Sequence, residues 1–199
     1  MRVRRTLLGA LIVIAAVWIA FLLLVRPSND RDWKWDQMKL PEISFSGDQV
    51  TIKNIRNFTY RSTTDYTVAH YNSTYDLRDL QRAWYVVEPF SGHKGFAHTF
   101  LSFEFSGDRF LGISIEIRKE KGEKFSAFKG LFRKYELMYV IGDERDLIKL
   151  RSNYRKDKVF VYPIRGQQQT ARSVFVDMVE RVNKLKDEPE FYNLFTNTC

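Results

Sequence analysis

From Leu7 to Val25 the chain carries nineteen consecutive residues without a charge, interrupted only by the Trp18 indole. Wound as a helix at about 1.5 Å per residue, the run is about 28 Å long, one bilayer hydrocarbon core. It predicts a transmembrane helix. Arg2, Arg4 and Arg5 precede it and only Arg26 follows, so residues 1–6 stay cytoplasmic and everything after residue 25 lies outside. A cleaved signal peptide fits less well, since its apolar region would be shorter and Leu24-Val25-Arg26 offers no small-residue cleavage pair. No cysteine lies nearby to carry a lipid.

The remainder is enough for one domain. The 199-residue chain is 44% hydrophobic and 15% aromatic, ample for a core. Setting aside Arg2, Arg4, Arg5 and Arg26 reduces the formal net charge from +8 to +4. That excess is too small and dispersed for nucleic acid, but it suits a domain facing anionic head groups. With one cysteine, Cys199, no internal disulfide can form. A lone thiol outside the membrane needs a reason, and catalysis is one.

Pro27-Ser28-Asn29 opens a polar stretch read as a tether over residues 26–49, in which Trp33 and Trp35 serve either as interfacial anchors or as packing residues. Residues 50–199 form the outer domain. Strands are expected within Val50–Tyr60, Trp84–Pro89, Phe96–Phe105, Phe110–Arg118 and Lys158–Ile164, and helical turns within Asp76–Ala83 and Asp143–Asn153; Tyr135–Ile141 is ambiguous. Ala171, Phe175, Met178, Val182 and Leu185 recur at helical spacing, with Pro189 beyond the last turn. The pattern is that of an α+β domain with a largely antiparallel sheet and packed helices.

The Phe96–Phe105 strand has one nearly all-apolar face, with Leu101, Phe103 and Phe105, and one mixed face, near the start of which sits His98. Paired with Cys199, His98 becomes a candidate base. Asn197 and Thr198 are helix-capping types that would put the thiol in the first turn of a helix, where the dipole and an imidazole favour the thiolate. Glu104 lies six residues along the strand, about 20 Å from His98, too far to orient the ring. A partner must come from the next strand. If Phe105 pairs with Arg109 around a three-residue turn, Glu116 falls opposite His98; if Ser106 pairs with Arg109, Ile117 does. We favour the first register, because a carboxylate stabilises an imidazolium and Ile117 does not. His70, His93 and His98 lack the spacing of a metal site, and neither metal nor cofactor is expected.

The runs Ala97–Phe103, Arg118–Glu123, Lys129–Arg133, Asp143–Asp146 and Phe191–Cys199 resemble those of the Lnb N-terminal periplasmic domain family, over residues from about Val50 to the last. The family is similar to circularly permuted papain-like thiol enzymes of the NlpC type, and some members are lipoprotein N-acyltransferases of the bacterial envelope. The resemblance implies His98 and Cys199 as catalytic residues; Glu116 rests on the register alone. It implies a single-pass inner-membrane protein with its C-terminal domain in the periplasm, acting through a Cys199 acyl-thioester on a lipid or lipoprotein. The alternatives are a cysteine peptidase or amidase on cell-wall peptides and an inactive binding module; the oligomeric state stays open. Thr198 stands where the family has a second asparagine, and an α-carboxylate directly at Cys199 would raise the thiol pKa. The sequence is therefore expected to be a piece of a longer chain.

Overall fold

A computed structural model of the protein describes residues 2–90, 95–126, 130, 132–193 and 195–197. Helix α1 (Arg2–Leu24) is the apolar run, and its stretch Thr6–Leu24 is long and apolar enough to cross a membrane. Eight strands form one sheet: β1 (Glu42–Ser46), β2 (Gln49–Arg56), β5 (His70–Asp76), β6 (Leu80–Pro89), β7 (Ala97–Phe105), β8 (Arg109–Arg118), β9 (Glu136–Gly142) and β10 (Phe160–Pro163). A separate two-stranded ribbon joins β3 (Thr59–Tyr60) to β4 (Tyr66–Thr67).

The spatial order is β1-β2-β9-β8-β7-β6-β10, with β5 also on β2. Every pairing is antiparallel except one contact, Arg56 with Gly142, where β2 runs parallel to β9. The sheet is thus mixed by a single bridge. Period-two alternation sends the two faces of β7 to different layers. Phe103 and Phe105 pack with Leu111, Ile113 and Ile141 under α3 (Gln168–Asp187). Phe100 packs with Val86, Met138 and Val140 under α2 (Glu144–Lys149), which continues into a wider π-type turn, Leu150–Arg155.

On α3, Phe175, Val179, Val182 and Leu185 are the buried residues, each worth about 1.5–3 kcal/mol when removed from water. Val179 takes the core place expected of Met178, which is only partly buried. The ambiguous stretch Tyr135–Ile141 resolves as strand from Glu136 on, with both faces of β9 covered, which is why its sequence lacks alternation. The segment 26–49 is ordered: Trp33 is buried beneath the Arg118 guanidinium, 4.2 Å from its ring, and Glu42–Ser46 enters the sheet as β1. Trp35 is exposed and stacks on Tyr66.

Candidate active site

The site begins with a turn. Between β7 and β8 only Ser106, Gly107 and Asp108 intervene, and Gly107 and Asp108 take positive φ angles of 77° and 56°. A glycine and an aspartate tolerate that conformation, which closes the three-residue loop. Phe105 therefore pairs with Arg109, and the same register runs to Phe100 opposite Ser114. A slip of one residue would have turned the face over.

That register carries His98 to Glu116. His98, 8% exposed, has its Nε2 2.9 Å from Ser114 Oγ and 3.3 Å from Glu116 Oε1. Ser114 Oγ donates to Glu116 Oε1 at 2.9 Å. With its proton given to the carboxylate, the serine oxygen accepts from the ring, so Nε2 carries hydrogen and Nδ1 is the basic nitrogen. Burial pushes the Glu116 carboxyl up, but His98, Arg151 and Arg56 outweigh it and hold the group well below the usual carboxylate range. It is a carboxylate at neutral pH.

On the other side of β7, the β6 register puts Glu88 opposite His98. Arg151, almost fully buried, joins the two carboxylates: its Nε donates to Glu88 at 2.7 Å and one terminal nitrogen to Glu116 at 2.9 Å. Its other terminal nitrogen donates to the Leu147 carbonyl at 2.8 Å, and the guanidinium lies over Phe100. Burial pushes the Glu88 carboxyl up, against Arg151 and Arg155. Glu116 thus faces the imidazole and is tied through Arg151 to Glu88.

Arg151 owes its place to Leu147, one turn earlier. Gly112 and Gly142 face each other across β8 and β9, and a Cβ on Gly112 would lie 2.6 Å from a Leu147 methyl. The glycine pair makes a notch, and Leu147 fills it. The first turn of α2 is fixed twice more. Ser102 Oγ donates to Glu144 at 2.5 Å, and fully buried Asp146 accepts from both Arg56 nitrogens, the Phe58 amide and the Tyr60 hydroxyl at 2.7–3.0 Å.

Glu116 and Arg151 wall a cleft of about 150 Å³ shared with Arg56, Tyr60, Tyr66 and Arg155. A larger hollow of about 220 Å³ lies by the Phe105–Arg109 turn, at the other end of β7; among the described residues His98 lines neither space. Glu104, as expected, has no part in the site; it accepts from the Trp84 indole at 2.8 Å.

Cys199 and Thr198, like His93, lie outside the described residues. The segment leading to them is docked: Phe191 bridges to Glu136, Tyr192 donates to the Tyr135 carbonyl at 2.8 Å, and the Asn197 side chain donates to the Phe191 carbonyl at 2.9 Å. Glu136 pairs with Arg118, two residues past Glu116. The terminal segment therefore leaves the sheet at its His98 end. The structure brings His98 and Glu116 together, as the sequence register anticipates, and adds Glu88, Ser114 and Arg151, which the sequence reading did not name. Ser114 shares the parity of Glu116 and was within reach of the same register argument; Arg151 was not.

A buried histidine paired with a carboxylate thus sits on an α+β domain that follows a helix long and apolar enough to cross a membrane. The model of the Lnb N-terminal periplasmic domain matches residues 66–199, and the chain belongs to that family. It is a membrane-associated protein whose folded domain lies in the periplasm, following the inner-membrane helix. No curated protein and no solved structure matches the chain.

Proposed function

We propose that the domain is a thiol enzyme of acyl transfer, with a permuted papain-like arrangement in which the strand-borne base precedes the nucleophile in the chain. The observation that carries this reading is His98, buried on β7 and held at Nε2 by Ser114 and by Glu116, a carboxylate placed to stabilise the imidazolium. In the proposed cycle His98 takes the Cys199 proton and the sulfur attacks an ester carbonyl. The C–O bond breaks as the imidazolium protonates the departing alkoxide, leaving an acyl-thioester. An amine, or water, then attacks the thioester while His98 accepts its proton and returns one to the sulfur. Glu116 stabilises the imidazolium in both halves. The membrane anchor favours a phospholipid or lipoprotein as acyl donor, since either is presented at the bilayer to which the domain is tethered.

The test uses the full chain in vesicles containing phospholipid with a labelled acyl chain. A hydroxylamine-labile label on the wild-type protein, absent from Cys199→Ala and His98→Ala, is the expected result. Failure of the wild type to acquire label, or cleavage of muropeptides abolished by Cys199→Ala, would overturn acyl transfer in favour of hydrolysis of cell-wall peptides.

A further inference from the structure

We infer that the His98 end of the domain docks onto the bilayer surface through exposed phenylalanines of the β6–β7 hairpin and the β8–β9 connection. The starting point is where α1 meets the domain. Arg133 donates to the Leu22 carbonyl at 2.9 Å, and the Phe132 ring meets Trp18 edge-on at 6.4 Å. Leu22 and Trp18 lie two and six residues before the end of the span at Leu24, about 3 and 9 Å into it along the helix axis. A span of nineteen residues, about 28 Å, has no length to spare over a hydrocarbon core, so Phe132 is held at the level of the acyl chains and Arg133 at their boundary. Phe125, in the same connection, is 56% exposed with its ring beside Tyr135.

The β6–β7 hairpin closes at the same end of the sheet as the β8–β9 connection. Phe90 donates its amide to the Phe96 carbonyl at 3.0 Å, and the two rings are 49% and 62% exposed. Extending the β7–β8 register two pairs past His98 brings Phe96 level with Arg118. Arg118 in turn donates to the Asn29 side chain at 2.9 Å, five residues beyond the end of α1. Phe90 and Phe96 thus lie at the same end of the sheet as Asn29, which follows the span by five residues. Phe195 adds a further exposed ring on the terminal segment, which leaves the sheet at this end. Water is a poor environment for such rings, whereas the headgroup and acyl boundary accepts them, as it does for interfacial segments generally. Docking through Phe96, two residues before His98, brings the imidazole toward the lipid surface, where an acyl ester would be met.

The test needs no turnover, so it stands apart from the thiol chemistry. In full chain with Cys199→Ser, single nitroxides are placed at Phe90→Cys, at Lys124→Cys, and at Ser106→Cys on the far hairpin, in vesicles of phosphatidylethanolamine with phosphatidylglycerol. Collisions with a water-soluble nickel reagent at positions 90 and 124 are expected to be at least about threefold fewer than at 106, with oxygen collisions correspondingly higher. Equal nickel access at all three positions would overturn the inference. So would protection at 124 alone, which would leave the connection packed on α1 and the hairpin in water. An inactive chain that shows the expected depths would leave docking intact and count only against acyl transfer.

Discussion

Replacing Arg151 with methionine removes the one cation that Glu88 and Glu116 share, at a site where the arginine donates three hydrogen bonds of 2.7–2.9 Å. Taking one partner from a buried ion pair costs about 3–5 kcal/mol. The charge part of that cost has a ceiling, because Glu88 can escape by binding a proton. For a carboxyl of ordinary pKa about 4.3, at 1.36 kcal/mol per unit, the ceiling is about 3.7 kcal/mol at pH 7 and about 1 kcal/mol at pH 5. In R151M the folded Glu88 pKa lies above the unfolded value, so the folded state binds more protons; the variant gains stability as pH falls from about 7 toward 4.3. Urea unfolding of the full chain in mild detergent, followed by tryptophan fluorescence, reads this directly. We expect a loss of about 3–5 kcal/mol at pH 7, shrinking by about 2–3 kcal/mol at pH 5, and substantial recovery in R151M/E88Q. A loss that is the same at both pH values, or a double variant no more stable than R151M, would refute the placement of a charged Glu88 beside this guanidinium.

Leu147→Ala empties the notch over Gly112 and Gly142 and should cost about 2–5 kcal/mol in the same assay. Gly112→Ala should cost about 1–3 kcal/mol by collision with the same methyl, with part of the loss recovered in the Gly112→Ala/Leu147→Ala pair. Asp146→Asn removes the buried carboxylate that pairs with half-buried Arg56 and should cost about 3–5 kcal/mol, with ribbon β3–β4 the first segment to exchange its amides. Glu116, whose folded pKa is depressed, contributes stability that is present above about pH 4.3 and lost as pH falls through the depressed value. The gap in Tm between wild type and Glu116→Gln should therefore be widest near pH 6 and close in acid; a constant gap would contradict the ion pair.

The elements that set the site were unequally legible. The Gly-Asp turn narrowed the β7–β8 register to two pairings, and the carboxylate that one of them puts opposite His98 favoured the pairing the structure has. The amphipathic stripe of α3 and the membrane span were visible as simple periodicity and length. Arg151 was hidden for a physical reason: it reaches Glu116, 35 positions earlier, only because Leu147 seats on two glycines whose facing is a tertiary fact. Glu88 was hidden because its pairing with His98 depends on the length and path of the chain between Pro89 and Ala97. Trp33 looked like part of a polar tether, since the cation that covers it, Arg118, lies 85 residues on, at the end of β8.

The account turns on an imidazole that activates the Cys199 thiol, and the rate of alkylation of that thiol measures it most directly. With iodoacetamide at about pH 6, Cys199 of the folded full-length protein should react at least about tenfold faster than in the urea-unfolded chain. His98→Ala should bring the folded rate down to that of the unfolded chain, and Glu116→Gln to a value between. A folded rate equal to the unfolded one, unchanged by His98→Ala, would contradict the account.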